Sequence, residues 1–449
     1  MGIHVTLKQL RPVALALLVL ASTAPAALAL DAQDFGKKFL AVYGHSLPPT
    51  DKLSFDSATA NGNNLVFDGI TLTVPPGSDA GSTVQLPAKL TFTGVAEQPD
   101  GSYTADSLTV PDVDYSFEGG TLTVKSIALK NLYVPGSASP TVVDSVRLFG
   151  AASAGPIALT MHGTPAFTID GFSVTTTFKP SQTAADLESI DSTGSTSGMK
   201  LDMTGMDDAE GLAQAKALGL ETMTGKVIEN GGWTLKDGHI AISEVSIDID
   251  KVGKLKFATD ITGYTPAFLQ ALNTALQTLT AGGSDSAAQG QQTAALLAAS
   301  QALFLNGLSL RYDDASITGR LLDYVADQQK VTRPALIEQV VASLAAQADS
   351  ADAAPPGLVK TMQAAVRAFL NDPHSFEVKL APPAPLGVMT IMAAAMQPDN
   401  LVAQLGLKVL VNDKEITAAQ AASETCVAPP AAEDSGDSSD APASDNSGD

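Results

Sequence analysis

Cysteine is almost absent from this sequence of 449 residues, in which Cys426 is the only one. A single cysteine excludes an internal disulfide, so the fold must be held by its apolar core alone. Cys426 opens residues 426–449, which are rich in Ser, Asp, Pro and Ala and contain no large apolar residue after Val427. This composition predicts a disordered acidic tail, with a thiol that is either idle or cross-links two chains.

Positive charge is also scarce, with 26 Lys and Arg against 48 Asp and Glu and a formal net charge of −22. Binding to nucleic acid is driven by Lys and Arg, which displace the counterions of the phosphates. The sequence therefore excludes nucleic acid as a partner. A divalent cation would suit the acidic surface only where several oxygen ligands are clustered.

Long apolar runs are missing except at the N-terminus. Residues 1–29 contain Lys8 and Arg11, then an apolar run over residues 13–21, then the triplet Ala27–Ala29, a pattern typical of a cleaved signal peptide. The run is shorter than the ~20 residues of a membrane-spanning helix, which disfavours the alternative, a membrane anchor. Cleavage removes two positive charges and no acid, which leaves −24. We expect a periplasmic or secreted protein with no transmembrane segment after cleavage.

Catalytic motifs are absent as well. The sequence has no G-x-S-x-G, H-E-x-x-H, phosphate-loop, G-x-G-x-x-G or C-x-x-C pattern. Ser197–Lys200 fits S-x-x-K, but a pattern with two fixed positions occurs by chance in a chain this long. His45, His162, His239 and His374 are isolated and lie in or beside turn-like stretches. We therefore predict no catalytic residue, no cofactor-binding residue and no cofactor.

Two acidic pairs are the remaining candidates for a site. Asp248 and Asp250 fall on one face of a predicted strand, about 7 Å apart, where they could share a metal ion. They lack the glycine and bidentate glutamate of a calcium loop, so a solvated strand face is the alternative. Asp313 and Asp314 precede a helical stretch that begins near Arg320, and carboxylates there favour the positive end of a helix.

Alternating apolar and polar residues dominate what the sequence does contain. Residues 107–134, SLTVPDVDYSFEGGTLTVKSIALKNLYV, show this period of two, which predicts strands with one buried face. Asp100-Gly101 and Gly119-Gly120 supply turn residues, so neighbouring strands are expected to pair antiparallel. The pattern returns over residues 224–263, with turns predicted at 229–232 and 236–238.

Helical patterns are concentrated in the second half of the chain. They are predicted at residues 35–43, 208–218 and 267–279, in two helices joined near Lys330, at 358–370, and in two short helices around Met389 and Pro398. Strands followed by runs of helices indicate an α+β fold. We expect an extended, mainly antiparallel β-sheet with Ala-rich helices packed on it.

The predicted organisation has five parts. They are a signal peptide (1–29), a β-rich N-terminal region (30–180), a polar connection that interrupts the sheet (181–225), a mixed α+β region (226–425) and a disordered acidic tail (426–449).

Two resemblances accompany these patterns. The stretches LSLRYDDASITGRLLD, FEVKLAPPAPL and LGLKVLVN, between residues 303 and 411, resemble a group of uncharacterised exported proteins of alphaproteobacteria, which brings no function with it. The strand-rich part is similar in style to AsmA-like envelope proteins, whose repeated strands build a groove for lipids. That similarity covers about half of the chain and carries no motif, so it implies no site residue.

The absence of catalytic chemistry beside so many two-faced strands favours a non-catalytic exported protein. Its sheet would offer a surface or groove to an envelope component or a lipid. The alternatives are a periplasmic hydrolase with a site built from distant residues, and a secreted or surface structural protein. A groove binder should have strands that are apolar on both their covered and their cupped faces, whereas a scaffold should have a clean polar outer face. The outward Thr, Ser, Asp and Lys of these strands favour the scaffold. Leu122, where the alternation is cleanest, is expected to face the core and Thr123 to face solvent.

Overall fold

The computed structural model describes residues 30–417, except residues 45–51, 74–82, 86–88, 118, 138–140, 142, 145–146, 183–186, 206–207, 282–293, 295–296, 299, 351–355 and 396–397. The predicted signal peptide, the acidic tail with Cys426, and His45 lie outside the described residues.

The described residues form 25 strands. In the N-terminal half these are β1 (Lys52–Ser54), β2 (Ser57–Asn61), β3 (Asn64–Asp68), β4 (Thr71–Thr73), β5 (Thr83–Gln85), β6 (Leu90–Thr93), β7 (Ala96–Glu97), β8 (Tyr103–Val110), β9 (Val113–Phe117), β10 (Gly120–Val124), β11 (Ile127–Val134), β12 (Phe149–Ala154), β13 (Ile157–Met161), β14 (Thr164–Ile169), β15 (Gly171–Pro180), β16 (Leu187–Ser197) and β17 (Met199–Asp202). The remainder are β18 (Thr222–Thr234), β19 (His239–Ile249), β20 (Gly253–Thr262), β21 (Phe304–Asp314), β22 (Ser375–Leu380), β23 (Leu386–Gly387), β24 (Leu407–Val411) and β25 (Lys414–Glu415).

The helices lie mostly in the C-terminal half, as predicted. They are α1 (Ala32–Gly44), α2 (Ala209–Ala217), α3 (Pro266–Ala281), α4 (Ile317–Gln329), α5 (Arg333–Ser350), α6 (Pro356–Asn371), α7 (Val388–Ala395) and α8 (Pro398–Leu405). The sequence also predicted where two of these helices begin or end. At the start of α3 the hydroxyl of Thr265 accepts a hydrogen bond from the N–H of Phe268 at 3.2 Å. At the end of α4 Lys330 adopts a φ of 55°.

One open antiparallel sheet contains most of the strands, which confirms the predicted fold class. Its strands pair in the order β2, β3, β6, β8, β11, β12, β15, β16, β18, β19, β20, β21, β22, β24, β25. A branch formed by β9, β10, β13, β14 and β17 joins the sheet at β18. Strands β1, β4 and β5 form a separate small sheet.

The branch exists because five long strands are each broken at the same level. The breaks fall at 111–112, 125–126, 155–156, 170 and 198, so that each broken strand contributes one half to the main sheet and one to the branch. Ser126 and Gly198 adopt positive φ there, at 52° and 60°. Backbone hydrogen bonds cross the breaks, from the N–H of Lys125 to Pro156 O at 3.0 Å and from Asp170 to Ser197 O at 2.9 Å. We call this line of breaks the crease.

An aromatic cluster forms the core at the N-terminal end of the sheet. Phe35 and Phe39 of α1 pack against Phe92, with ring centroids 4.9 and 5.1 Å away, and Phe35 lies 5.3 Å from Tyr103. The hydroxyl of Tyr103 donates a hydrogen bond to Asp34 at 2.7 Å, and burial raises the pKa of that hydroxyl. The helix predicted at residues 35–43 is therefore confirmed, and its Phe35 and Phe39 pack on the sheet.

A second core lies at the opposite end of the sheet. Ala365 of α6 is fully buried against Val409 and Val411 of β24. The ring of Phe369 lies 5.7 Å from that of Phe376 on β22. Helices α4 and α5 pack on each other through residues such as Leu322 and Ile337. Helices thus cover the two ends of the sheet.

Two sequence predictions differ from the structure in the middle of the chain. The polar connection expected at 181–225 instead contains β16 and β17, because its Ser-, Thr- and Gly-rich backbone pairs with a long strand on each side. The turn predicted at 229–232 is also wrong, because these residues run straight through β18 and pair with strands on both sides. The register between β18 and β19 shifts at Asn230 and Gly231, and a bulge on β19 accommodates this shift.

The predicted helix cap is confirmed for Asp314 and wrong for Asp313. Asp314 accepts hydrogen bonds from the N–H of Ser316 at 2.7 Å and of Thr318 at 3.0 Å, at the start of α4. Asp313 points to Arg311 instead, at 2.7 Å, because the strand alternation sends it to the other face.

Candidate functional site

The predicted metal candidates lie in a shallow depression of 410 Å³ where the crease meets β18 and β19. Asp248 is 3.6 Å from Lys226 Nζ, and Asp250 accepts a hydrogen bond from the hydroxyl of Thr224 at 2.5 Å. Asp250 falls just beyond the end of β19. Within the described part of the chain, no three His, Cys, Asp or Glu residues are grouped to hold a metal ion.

The S-x-x-K residues border the same depression but have other partners. Ser197 donates a hydrogen bond to Gly171 O on the neighbouring strand at 3.4 Å, and Lys200 Nζ lies 3.1 Å from Asp202 on its own strand. Gly198 between them occupies the left-handed turn of the crease. Each side chain therefore has a partner within the sheet.

The described histidines lie far apart in the fold. His162 occupies the β13–β14 turn, and His374 lies before β22, beside Asp372 at 3.1 Å. His239 Nε2 is 3.0 Å from Asp260, whose carboxylate also accepts a hydrogen bond from Asn306 at 2.7 Å. This last network ties β19, β20 and β21 together, so it has a structural role.

The two faces of the central sheet differ sharply in chemistry. Lys226, Asp248, Lys254 and Asp313 lie in register on β18 to β21, so opposite charges alternate along one row. Lys254 Nζ lies 2.7 Å from Glu244, and this hydrogen bond helps to hold the pKa of Glu244 below its usual value. We call this side the polar face.

The other side is apolar and largely uncovered. We call it the apolar face and define it by residues on β15 and β18 to β21: Phe172, Val174, Val227, Val245, Ile247, Leu255, Phe257 and Leu310. The register places Val227, Ile247 and Leu255 opposite one another on successive strands. Ile247 is 45% exposed, Leu255 47% and Leu310 45%, although each lies mid-strand.

The apolar face runs between the two helix-covered cores. Toward the N-terminus, Val174 continues in register into Ala152, Leu129 and Leu108, the last of which is buried in the first core. On the far side, Leu310 is opposite Val378. None of the residues that define the face belongs to a buried cluster among the described residues.

The branch extends the same apolar side. Tyr115, Leu122, Leu159, Phe167 and Leu201 follow one another in register from β9 to β17. All five side chains are exposed or half-buried. Leu122 is thus not in a core, contrary to the expectation, because its apolar neighbours on this side of the branch are themselves exposed or half-buried.

Glu229 is a carboxylate set within the apolar face. It lies on β18, in register with Gly194 on β16 and with Val245 on β19. Its Oε2 is 3.5 Å from the hydroxyl of Ser192. The absence of a side chain at Gly194 lets the Glu229 carboxylate lie against that residue, since a Cβ there would be 3.0 Å from Oε2. Sequence reasoning missed this residue, because the run Glu-Asn-Gly-Gly that contains it is typical of a turn.

The comparisons give a family match without a function. Residues 246–412 match a family model described as "Uncharacterized protein". The match begins within β19 and ends one residue after β24, so it contains Leu255 and Leu310 of the apolar face. It confirms the resemblance to an uncharacterised family in this region, and no curated protein matches the chain. None of the described helices is both long and apolar enough to span a membrane.

Proposed function

We propose that the chain is an exported, non-catalytic protein that binds the acyl chain of an envelope lipid on its apolar face. The observation that carries the proposal is the exposure of Ile247, Leu255 and Leu310 in the middle of a long sheet. Proteins rarely leave a contiguous apolar patch in water unless it binds something. Acyl chains suit a flat apolar strip because their burial needs no directional contacts.

The dimensions of the strip support this ligand. From β15 to β21 the apolar face spans six strands, which at a spacing of ~4.8 Å gives a length of about 24 Å, although β16 contributes Thr196 and Gly194 to it and no large apolar side chain. The hydrocarbon of one bilayer leaflet is about 15 Å thick, or half the membrane core. The strip therefore has room for an extended acyl chain lying across the strands.

Glu229 supports a polar end for the ligand. A carboxylate beside an acyl chain favours a group that donates hydrogen bonds, such as an amine or a hydroxyl. Ser192 offers a hydroxyl at the same place. The proposed ligand is thus a lipid whose head group carries such donors, lying with that group near Glu229.

The test is a titration of the chain from Leu30 onward with a fluorescent lipid that has one labelled acyl chain and an ethanolamine head group. Saturable binding is expected, and Leu255→Asp should weaken it at least tenfold because it places a charge in the strip. Lys256→Gln is the matched control, since it changes the net charge by the same amount on the polar face. Equal binding by both variants and the unchanged protein would contradict the proposal.

Glu229→Gln tests recognition of the head group separately from binding of the acyl chain. It keeps the size of the side chain and removes its charge, so binding of an ethanolamine lipid should weaken while binding of a fatty acid methyl ester, which has no hydrogen-bond donor, persists. Loss of both would show that Glu229 shapes the strip itself rather than recognising a head group.

A second candidate function is that of a secreted or surface structural protein. The ordered charges of the polar face, such as the ion pairs Lys226–Asp248 and Lys254–Glu244, favour it. A scaffold would bury its apolar face against an assembly partner. Failure to bind lipid, together with concentration-dependent assembly that Leu255→Asp abolishes, would support this second function.

A further inference from the structure

Strand β9 is an edge with little protection. It pairs with β10 along one side, and no other described strand pairs with it. Its sequence, Val-Asp-Tyr-Ser-Phe, contains one charge and no proline or lysine, which are the residues that usually guard a free edge. Tyr115 is 51% exposed, and its ring lies 6.3 Å from that of Phe117.

The side chains of β9 are complementary to those of a second β9. In an antiparallel pair centred on Tyr115, that residue lies opposite its own copy, Val113 lies opposite Phe117, and Asp114 lies opposite Ser116. The apolar residues then share one side of the joined sheet, and each carboxylate meets a hydroxyl instead of a like charge. Asp112, just before the strand, has its carboxylate turned to the N–H of Ser126 at 3.0 Å.

Other registers are worse for physical reasons. If one copy of β9 is shifted by one residue relative to the other, the apolar side chains of one copy lie opposite the polar side chains of the other. A pair centred on Asp114 brings two carboxylates face to face, and opposed like charges on neighbouring strands are destabilising. A pair centred on Ser116 joins only three residues of β9, from Tyr115 to Phe117, to their copies. The pairing centred on Tyr115 joins all five residues of β9 and sets no like charges opposite each other within the strand.

We infer that two copies of the chain associate through their β9 edges, in an antiparallel pair centred on Tyr115. The two branches then form one sheet, and the apolar side that contains Leu122 continues from one copy into the other. A two-fold axis passes between the paired tyrosines, so the contact is closed and does not propagate into fibres. This association goes beyond lipid binding and does not depend on it.

Sedimentation velocity of the chain from Leu30 onward tests the association, with Cys426→Ser throughout to exclude disulfide dimers. A dimer is expected at micromolar concentration. Ser116→Asp should convert it to monomer, because it sets a second carboxylate opposite Asp114 of the other copy. The double variant Asp114→Lys, Ser116→Asp should restore the dimer, because opposite charges then face each other.

A cross-link fixes the register independently. Tyr115→Cys in the Cys426→Ser background should form a disulfide between copies under mild oxidation, whereas Asp106→Cys, an exposed residue of β8 away from the pair, should not. A monomer at every concentration, or a dimer that Ser116→Asp leaves intact, would overturn the inference. Recovery of a monomer bound to a peptide along β9 would also overturn it, in favour of a foreign strand.

Discussion

Ile247 on β19 lies directly opposite Leu255 on β20, and each leaves nearly half of its side chain in solvent, 45% and 47%. In an antiparallel sheet such a pair normally lies under a helix or a second sheet, because its burial stabilises the fold. Helices α1 and α6 cover the two ends of the sheet instead. The two side chains therefore form an exposed apolar surface. Leaving this surface in water costs the folded protein free energy that burial would have gained.

Dye binding should report this surface in the native protein. We expect the folded chain at pH 7 to increase the fluorescence of anilinonaphthalene sulfonate, a dye that binds exposed apolar surface. The double change Ile247→Ser, Leu255→Ser should reduce the signal at least by half without a loss of thermal stability. The control is Ser173→Ala on β15, and a signal equal in all three proteins would place the dye elsewhere.

Stability should respond much less to truncation on the apolar face than to truncation in the core. Ile247→Ala should cost less than about 1 kcal/mol, because the side chain is already hydrated. Leu65→Ala should cost about 2–5 kcal/mol, because Leu65 is fully buried in the first core. Urea unfolding measures both values. Comparable costs would show that Ile247 is covered in solution.

The cap of helix α4 should make stability depend on pH. Burial opposes ionisation of Asp314, but hydrogen bonds from Thr318 and Ser316 outweigh it and hold the pKa of the carboxyl below its usual value. A lowered folded pKa stabilises the fold above the unfolded pKa of about 3.9, and that stabilisation is lost as the pH falls through the folded pKa.

Asp314→Ala tests this cap. The variant should lose about 1–2 kcal/mol at pH 7, and its difference from the unchanged protein should shrink as the pH falls below about 4. Asp313→Ala is the control, since its partner Arg311 holds two further carboxylates and an exposed ion pair contributes less than about 1 kcal/mol. A difference that stays constant down to pH 3 would mean that the charge of Asp314 is irrelevant.

The crease should not tolerate a side chain at Gly198. Its φ is 60°, and a Cβ there would collide with the carboxylate of Asp170. Gly198→Ala should therefore cost about 1–2 kcal/mol or more in the free energy of unfolding. Gly357→Ala in α6 is the control, because a Cβ there meets open space and should be neutral or stabilising. Adding Asp170→Ala should recover part of the loss, and no recovery would mean that φ alone sets the cost.

Local patterns predicted the elements better than their arrangement. Thr265, Asp314 and Lys330 mark helix ends through their own chemistry, which acts within a few residues. Glu229 was misassigned because Asn-Gly-Gly tolerates a turn, and only pairing with two long neighbours keeps it extended. Asp248 was placed on a polar strand face, but its partner Lys226 comes from another strand. The alternation of Ile247 and Leu255 indicated two-faced strands, yet which face a helix covers depends on distant parts of the chain.

The pair Leu122 and Thr123 on β10 distinguishes a covered branch from an open one. Sequence reasoning expects Leu122→Asp to unfold the domain and Thr123→Asp to be mild. In the structure both side chains are half-buried, and the register neighbours of Leu122 on the two adjacent strands are Tyr115 and Leu159. Both variants should therefore cost about 1–2 kcal/mol, as moderately exposed strand positions do.

Leu132→Asp supplies the contrast, because Leu132 on β11 is buried in the first core and an unpaired carboxylate there should cost several kcal/mol, enough to unfold the chain at about 25 °C. Circular dichroism in urea ranks the three variants. If Leu122→Asp proves as damaging as Leu132→Asp while Thr123→Asp stays mild, something covers the apolar side of the branch in solution. The proposed β9 pair does not lie over Leu122, so that result would point to a bound ligand or to another part of the chain.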